Sequence, residues 1–237
     1  MQEHSPSPSA IRGRLLWAGG ITVAATAVFL LADGHGRGSR VRFHPPPALA
    51  QRPAGSVGSA ADAFVIWKGS GVRGRRLVLL TGQWGSPGRA PGAAGATGGV
   101  SAAGAPYWAA RLGLVRSFDV VMPPAAFEGQ RAADAAHSVF RPEDGAYRHD
   151  LHGLRLRFSL PGALVPPAEP ALVLIEPTWF RPGAPADPLA WLASVGVRTD
   201  LALVALDDPA ATESDRRAAE EYVRAARVPR LQVEWTP

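Results

Sequence analysis

Residues 77–85 read LVLLTGQWG, and the fold hangs on how this stretch is read. Leu77, Val78, Leu79 and Leu80 form an unbroken apolar run. A strand wet on one face would alternate, so the run predicts a strand covered on both faces within a parallel sheet. The chain then leaves through Thr81-Gly82-Gln83. In open α/β sheets ligands bind at the carboxyl ends of strands, which makes this corner the first place to look for chemistry. It offers a hydroxyl, an amide, an indole and glycines, none of them a good acid, base or metal ligand.

Downstream, residues 171–176 (ALVLIE) and 201–206 repeat the buried-strand pattern. Between them Asp187-Pro188 supplies an N-cap and a first-turn proline for a helix running to about Val195. Thr212 with Asp215 three residues on is a capping signature for a helix over 213–226. Residues 231–235 are expected as a last strand. Alternating strands and helices predict a three-layer α/β domain with a mostly parallel, doubly wound sheet. Upstream, Ser59 is a candidate N-cap for a helix over 60–68 bearing Ala63, Phe64, Ile66 and Trp67, and a turn through residues 73–76 feeds the key strand. A short helix is expected over 107–114, a strand over 118–122 closed by Pro123-Pro124, and a helical turn over 131–137. Residues 141–150 are expected as a polar loop. Leu154, Leu156, Phe158 and Leu160 alternate with Arg155, Arg157 and Ser159, which predicts a strand with one wet face at a sheet edge.

The first 58 residues read differently. Residues 1–14 form a polar, Pro-punctuated tail, and residues 15–32 carry no charge. An 18-residue helix is about 27 Å long, just enough to cross a hydrocarbon core. A membrane or signal-anchor helix is therefore expected, with a cleaved signal peptide as the competing reading. Residues 33–58, rich in Gly, Pro and Arg, are expected as a linker, and residues 59–237 as the α/β domain. The expected location is a bacterial inner membrane, with a slight arginine bias toward a cytoplasmic C-terminal domain.

The net charge of +5 is unevenly spread. Six arginines against Glu3 and Asp33 put +4 in the first 60 residues, leaving 19 basic and 18 acidic residues beyond. A nucleic-acid partner is not expected of so neutral a domain, and the clusters Arg73, Arg75, Arg76 and Arg155, Arg157 read as solvated faces. With no cysteine, disulfides, thiolate metal sites and a Cys nucleophile are excluded. Residues 87–105 are low-complexity, and the glycines at 92–99 lack the Lys-Ser/Thr pair of a phosphate-binding loop.

Two strand ends together resemble the arginase and histone-deacetylase superfamily. Relatives there carry an acidic residue and Trp on a helix, then Leu-Val-His-x-Asp-Ala-His-x-Asp, and later Ile-Asp-x-Asp-Tyr-Phe. Here Asp62, Ala63, Phe64 and Trp67 resemble the first element, LVLLTGQWG falls on the second, and IEPTWF at 175–180 resembles the third. The resemblance places the family's metal ligands on Thr81, Gln83 and Gly85, and on Glu176 and Thr178. Only Glu176 keeps a carboxylate, so the resemblance implies the family's frame with its metal chemistry lost and no cofactor. A divalent pair needs several carboxylates and an imidazole.

Other candidates remain open. His149 and His152, beside Asp150, are weak metal-ligand candidates; in an extended segment they point to opposite faces. Glu176 reads as a relic binding group or as a carboxylate capping a neighbouring loop, and Asp207-Asp208-Pro209 as a turn. Trp84, Trp179 and Phe180 flank the corner as a candidate pocket for an apolar ligand or partner, or as core aromatics. The leading expectation is a non-catalytic, membrane-tethered domain serving binding or assembly with an unknown protein or small molecule. The alternatives are a metal-dependent hydrolase of amide or guanidine bonds with atypical ligands such as Glu176, His137, His149 or His152, and a membrane-anchored structural protein whose resemblance is accidental.

Overall fold

The computed structural model describes residues 54–70, 75–84, 109–110, 113–135, 140–151 and 154–231. One eight-stranded sheet organises them: β1 (Ala54–Ser59), β2 (Arg75–Leu80), β3 (Val115–Val121), β4 (Phe140–Glu143), β5 (Ala146–Leu151), β6 (Leu154–Ser159), β7 (Ala171–Ile175) and β8 (Thr199–Asp207). Their order is β1-β8-β7-β2-β3-β6-β5-β4, parallel from β1 through β6, with β5 and β4 added antiparallel at one end. Among the described residues, α1 (Ala60–Gly69), α2 (Pro124–Asp134), α3 (Pro188–Ser194) and α4 (Glu213–Ala225) accompany it.

The unbroken apolar run of β2 has the predicted cause. It lies between β7 and β3, and its side chains divide between two cores. Leu77 and Leu79 join Ile66 and Trp67 of α1 and Phe127 of α2; Val78 and Leu80 join Leu192 of α3 and Tyr222 of α4. Helices therefore cover both faces, and Leu77, Val78, Leu79 and Leu80 are each at most 1% exposed. Fully burying such a residue is worth about 1.5–3 kcal/mol relative to leaving it in water, which fixes the centre of the sheet.

The helix starts follow the sequence. Ser59 and Asp62 form a capping box: Ser59 N donates to Asp62 Oδ2 at 2.8 Å and Asp62 N donates to Ser59 Oγ at 3.3 Å. Thr212 and Asp215 repeat it on α4, and Asp187 caps α3 ahead of Pro188. Of the helix expected over 107–114, Ala109 and Ala110 are the described helical residues.

Four expectations need correction. The linker expected to end at residue 58 contains β1, which pairs in parallel with β8. Its sequence, AGSVGS, has almost no apolar side chain to show a strand, because Leu231 packs where the side chain of residue 55 would be: a Cβ on Gly55 would lie 2.4 Å from Leu231 Cδ1. The helical turn expected over 131–137 is the end of α2, which starts at Pro124 with proline in the first turn. The polar loop expected over 141–150 is the β4–β5 hairpin, turned at Asp144-Gly145 with Gly145 at φ +60°. Consequently β6 is an inner strand, not an edge, between β3 and β5. The strand expected over 231–235 appears among the described residues as a bridge from Arg230 to Ser56.

No helix among the described residues is long and apolar enough to cross a membrane. The expected anchor at 15–32 lies outside the described residues, as do the tail, residues 33–53 of the linker, residues 87–105, Gly85, His137 and His152; of His149 only the backbone is described.

Candidate functional site

The parallel register brings the exits of β2, β7 and β8 side by side. Glu176 N donates to Leu80 O at 2.9 Å and Thr81 N to Val121 O at 3.1 Å, so the ladder holds to the last residue of each strand. Thr81, Glu176 and Thr178, three of the positions the resemblance singles out, therefore meet, and all are at most 1% exposed. Gln83 is exposed and joins the corner through its backbone, its N–H donating to Thr81 Oγ1 at 3.1 Å.

Hydroxyls fill the space between the exits. Thr81 Oγ1 and Thr178 Oγ1 are 3.0 Å apart. Gly82 N donates to Thr178 Oγ1 at 3.1 Å, and Thr81 Oγ1 donates to Gln83 O at 2.8 Å. The two loops approach so closely that a Cβ on Gly82 would lie 2.0 Å from Thr178 O. Glycine is required there by backbone contact, not by an unusual φ.

Beneath the hydroxyls lies a carboxyl pair. Glu176 stands at the end of β7 and Asp208 just past the end of β8, 1% and 4% exposed. Burial, then the charge of Asp208, push the Glu176 carboxyl up to about 8, against the opposing effect of the Thr81 hydroxyl. Asp208 is raised by burial and by Asp207, against the backbone N–H of Ala210, which donates to its Oδ1 at 2.6 Å, and the charges of Arg181 and Arg216. Glu176 is thus held toward its protonated form at neutral pH. Its Oε1 has no hydrogen-bond partner among the described residues.

Arg181 closes the outside. Its Nη1 donates to Gly82 O at 3.3 Å, and its Nη2 to Ala210 O at 3.2 Å and to Asp215 Oδ2 at 2.9 Å, linking the exits of β2 and β8 to the first turn of α4. Burial acts to raise Asp215, but the Arg181 guanidinium and the Thr212 amide and hydroxyl outweigh it and hold the carboxyl below its usual range. Asp208 and Arg181 are the participants that sequence reasoning missed. Asp208 reads locally as a turn; its position after a buried strand beside Ala171–Ile175 was the available signal.

The three aromatics expected around the corner do not share a pocket. Trp84 packs edge-on to Phe158, with ring centroids 5.4 Å apart, in the core under α1 and α2. Trp179 stacks obliquely on Trp191 at 5.7 Å in the opposite core. Phe180 lies against Tyr222 at 5.3 Å and borders an open groove of about 660 Å³ along α4. The sheet separates Trp84 from the other two.

This donor set does not fit a divalent metal pair. Two hydroxyls bonded to each other and two carboxyls, Glu176 and Asp208, make a small donor set without an imidazole, and a pair of hard cations needs several ionised oxygens. Among the described residues no three His, Asp or Glu side chains converge. What the arrangement does chemically is hold two buried carboxyls, both raised by burial, beneath loops that hydroxyls and a guanidinium lock together. Comparison with known proteins finds no matching family model, no matching curated relative and no matching solved structure.

Proposed function

We propose that the chain is a non-catalytic, membrane-tethered domain built on the doubly wound arginase/deacetylase-type frame and serving binding or assembly. The observation that carries this reading is the sealed corner: Thr81, Thr178 and Gly82 bond to one another across the exits of β2 and β7. A hydrolytic site of that family needs an open, negatively charged, imidazole-bearing cleft at the same place. Here the hydroxyls that would face a substrate are spent on each other, and the surviving carboxylate position, Glu176, is 1% exposed. The mostly parallel sheet with helices on both faces is compatible with the frame. The tether rests on the uncharged run at 15–32.

The test is elemental analysis of the purified full chain, followed by thermal-shift titration with Mn²⁺, Zn²⁺, Fe²⁺ and Ni²⁺. A ligand that binds only the folded form must raise its stability by mass action. The expected result is substoichiometric metal and no rise in Tm. Stoichiometric metal that disappears in Glu176→Ala would overturn the non-catalytic reading in favour of hydrolysis with atypical ligands.

A further inference from the structure

The open groove of about 660 Å³ that Phe180 borders runs between α4 and the loop leading into α3. Ala218, Tyr222 and Ala225 line it as one stripe of α4 at helical spacing, and Phe180 and Pro185 line it from the loop. Exposed positions elsewhere on α4, such as Arg217, Glu220 and Arg224, carry charge, as a solvated helix face does. Alanine at 218 and 225 keeps the groove wide where such long side chains would fill it. Two carboxylates stand on the rim, Asp187 and Glu221. Asp187 is spent on Ala190 N and the Tyr222 hydroxyl. Glu221 is exposed and makes no ion pair among the described residues.

The described chain begins at the end of this groove. The bridge Ser56↔Arg230 is parallel, so Ala54 stands beside Val228, two residues past the α4 C-cap Ala226. Ala54, Tyr222 and Val228 share one core. The chain before Ala54 therefore joins the domain where α4 and the groove end. It reads PPPALA at 45–50, with Arg42 and Arg52 on either side. Consecutive prolines favour polyproline II, which rises about 3.1 Å per residue and loses little entropy on docking in an aromatic-lined groove. Residues 45–48 in that form span about 12 Å, as do residues 218–226 of α4 at about 1.5 Å per residue. Residues 49–53 supply about 17 Å of connecting chain.

We propose that residues 45–50 of this chain occupy the groove as an extended strap. Its prolines and Leu49 lie on Phe180, Tyr222 and the alanines, and its flanking arginines offset Glu221. The short connection to Ala54 holds the strap at an effective concentration in about the millimolar range, which a second copy at micromolar concentration does not match. The strap closes the groove, and a separate proline-rich partner must displace it to bind there.

The test measures amide hydrogen exchange in the full chain. In P45D/P47D/L49D the added carboxylates make the strap unfit for an apolar groove beside Glu221. The expected result is exchange about tenfold faster over residues 183–187, as when a site filled roughly nine-tenths of the time is emptied. Ala225→Glu, or Ala218→Glu should the first fail to fold, gives the same increase from the groove side, and Arg131→Gln on α2 gives none. Unchanged exchange in β2 and β7 shows that a variant is folded. Unchanged exchange over 183–187 in the folded strap variant overturns the proposal. An increase in the strap variant without one in the folded groove variants places the strap elsewhere and overturns it too. Protection in the unaltered chain that grows with protein concentration overturns it in favour of a second copy as the occupant.

Discussion

Glu176 couples the corner to pH at the scale of a single residue. Its carboxyl is pushed from an ordinary 4.5 up to about 8 in the folded chain, so the folded state holds a proton that the unfolded state gives up. The stabilisation is therefore complete below about pH 4.5, shrinks as pH rises, and is gone above about 8. The slope approaches about 1.4 kcal/mol per pH unit in that window. Asp215 acts with the opposite sign: its carboxyl is lowered, so its contribution is lost as pH falls through the depressed value. Urea unfolding from pH 5 to 9 should show stability declining toward alkaline pH, and Glu176→Gln should flatten the decline and raise stability at pH 8. A steeper decline in the variant would contradict the buried neutral acid. Gly82→Ala places a methyl 2.0 Å from Thr178 O and must part the two loops. It should cost about 3 kcal/mol in the same assay, the upper end for overpacking.

At the scale of elements, the caps and the hairpin make separate demands. Asp215 serves both the α4 capping box and Arg181, whereas Thr212 serves the box alone. Thr212→Ala should cost about 1 kcal/mol. Asp215→Ala should cost roughly twice that, since Arg181 also loses its carboxylate; equal losses would show that the guanidinium link contributes nothing. In the hairpin, Tyr147 stacks on Phe158 at 4.8 Å and donates from its hydroxyl to Asp134 Oδ2 at 2.8 Å. Burial drives its phenol far above the ordinary range, so it remains a donor throughout the accessible pH range. Tyr147→Phe keeps the stack and removes one donor to Asp134. It should cost about 1 kcal/mol by chemical denaturation, against 3–5 for Tyr147→Ala, which also empties the aromatic cluster.

For the molecule as a whole, the corrected domain boundary has a measurable consequence. β1 pairs with β8 from Ala54↔Ala202 to Ser59↔Asp207, and its outer side takes the backbone of Pro229 and Leu231: Ser56 N donates to Pro229 O, and Leu231 N to Ser56 O, both at 2.8 Å. A chain starting at residue 59 strips β8 of that cover and frees Leu231. It should melt lower than one starting at residue 54 and be cut sooner by protease near residue 230. Equal melting temperatures would show that β1 adds nothing to the sheet.

Local sequence determined what local chemistry can encode. Leu77–Leu80 and the apolar runs of β7 and β8 announced buried strands because continuous apolarity needs cover on both faces. Ser59 with Asp62, Asp187 with Pro188 and Thr212 with Asp215 announced helix starts because a cap is a short-range hydrogen bond. The Asp144-Gly145 turn was legible too, but the polar strands beside it hid the hairpin and with it the inner position of β6. Small-residue β1 could not be read, since its signal is the absence of side chains that Leu231 excludes. Only the tertiary structure decided that Thr81 meets Thr178, that Asp208 lies beside Glu176, and that the sheet divides Trp84 from Trp179. Each joins residues from different strands, and strand order and register, set by burial across the whole sheet, choose which residues become neighbours.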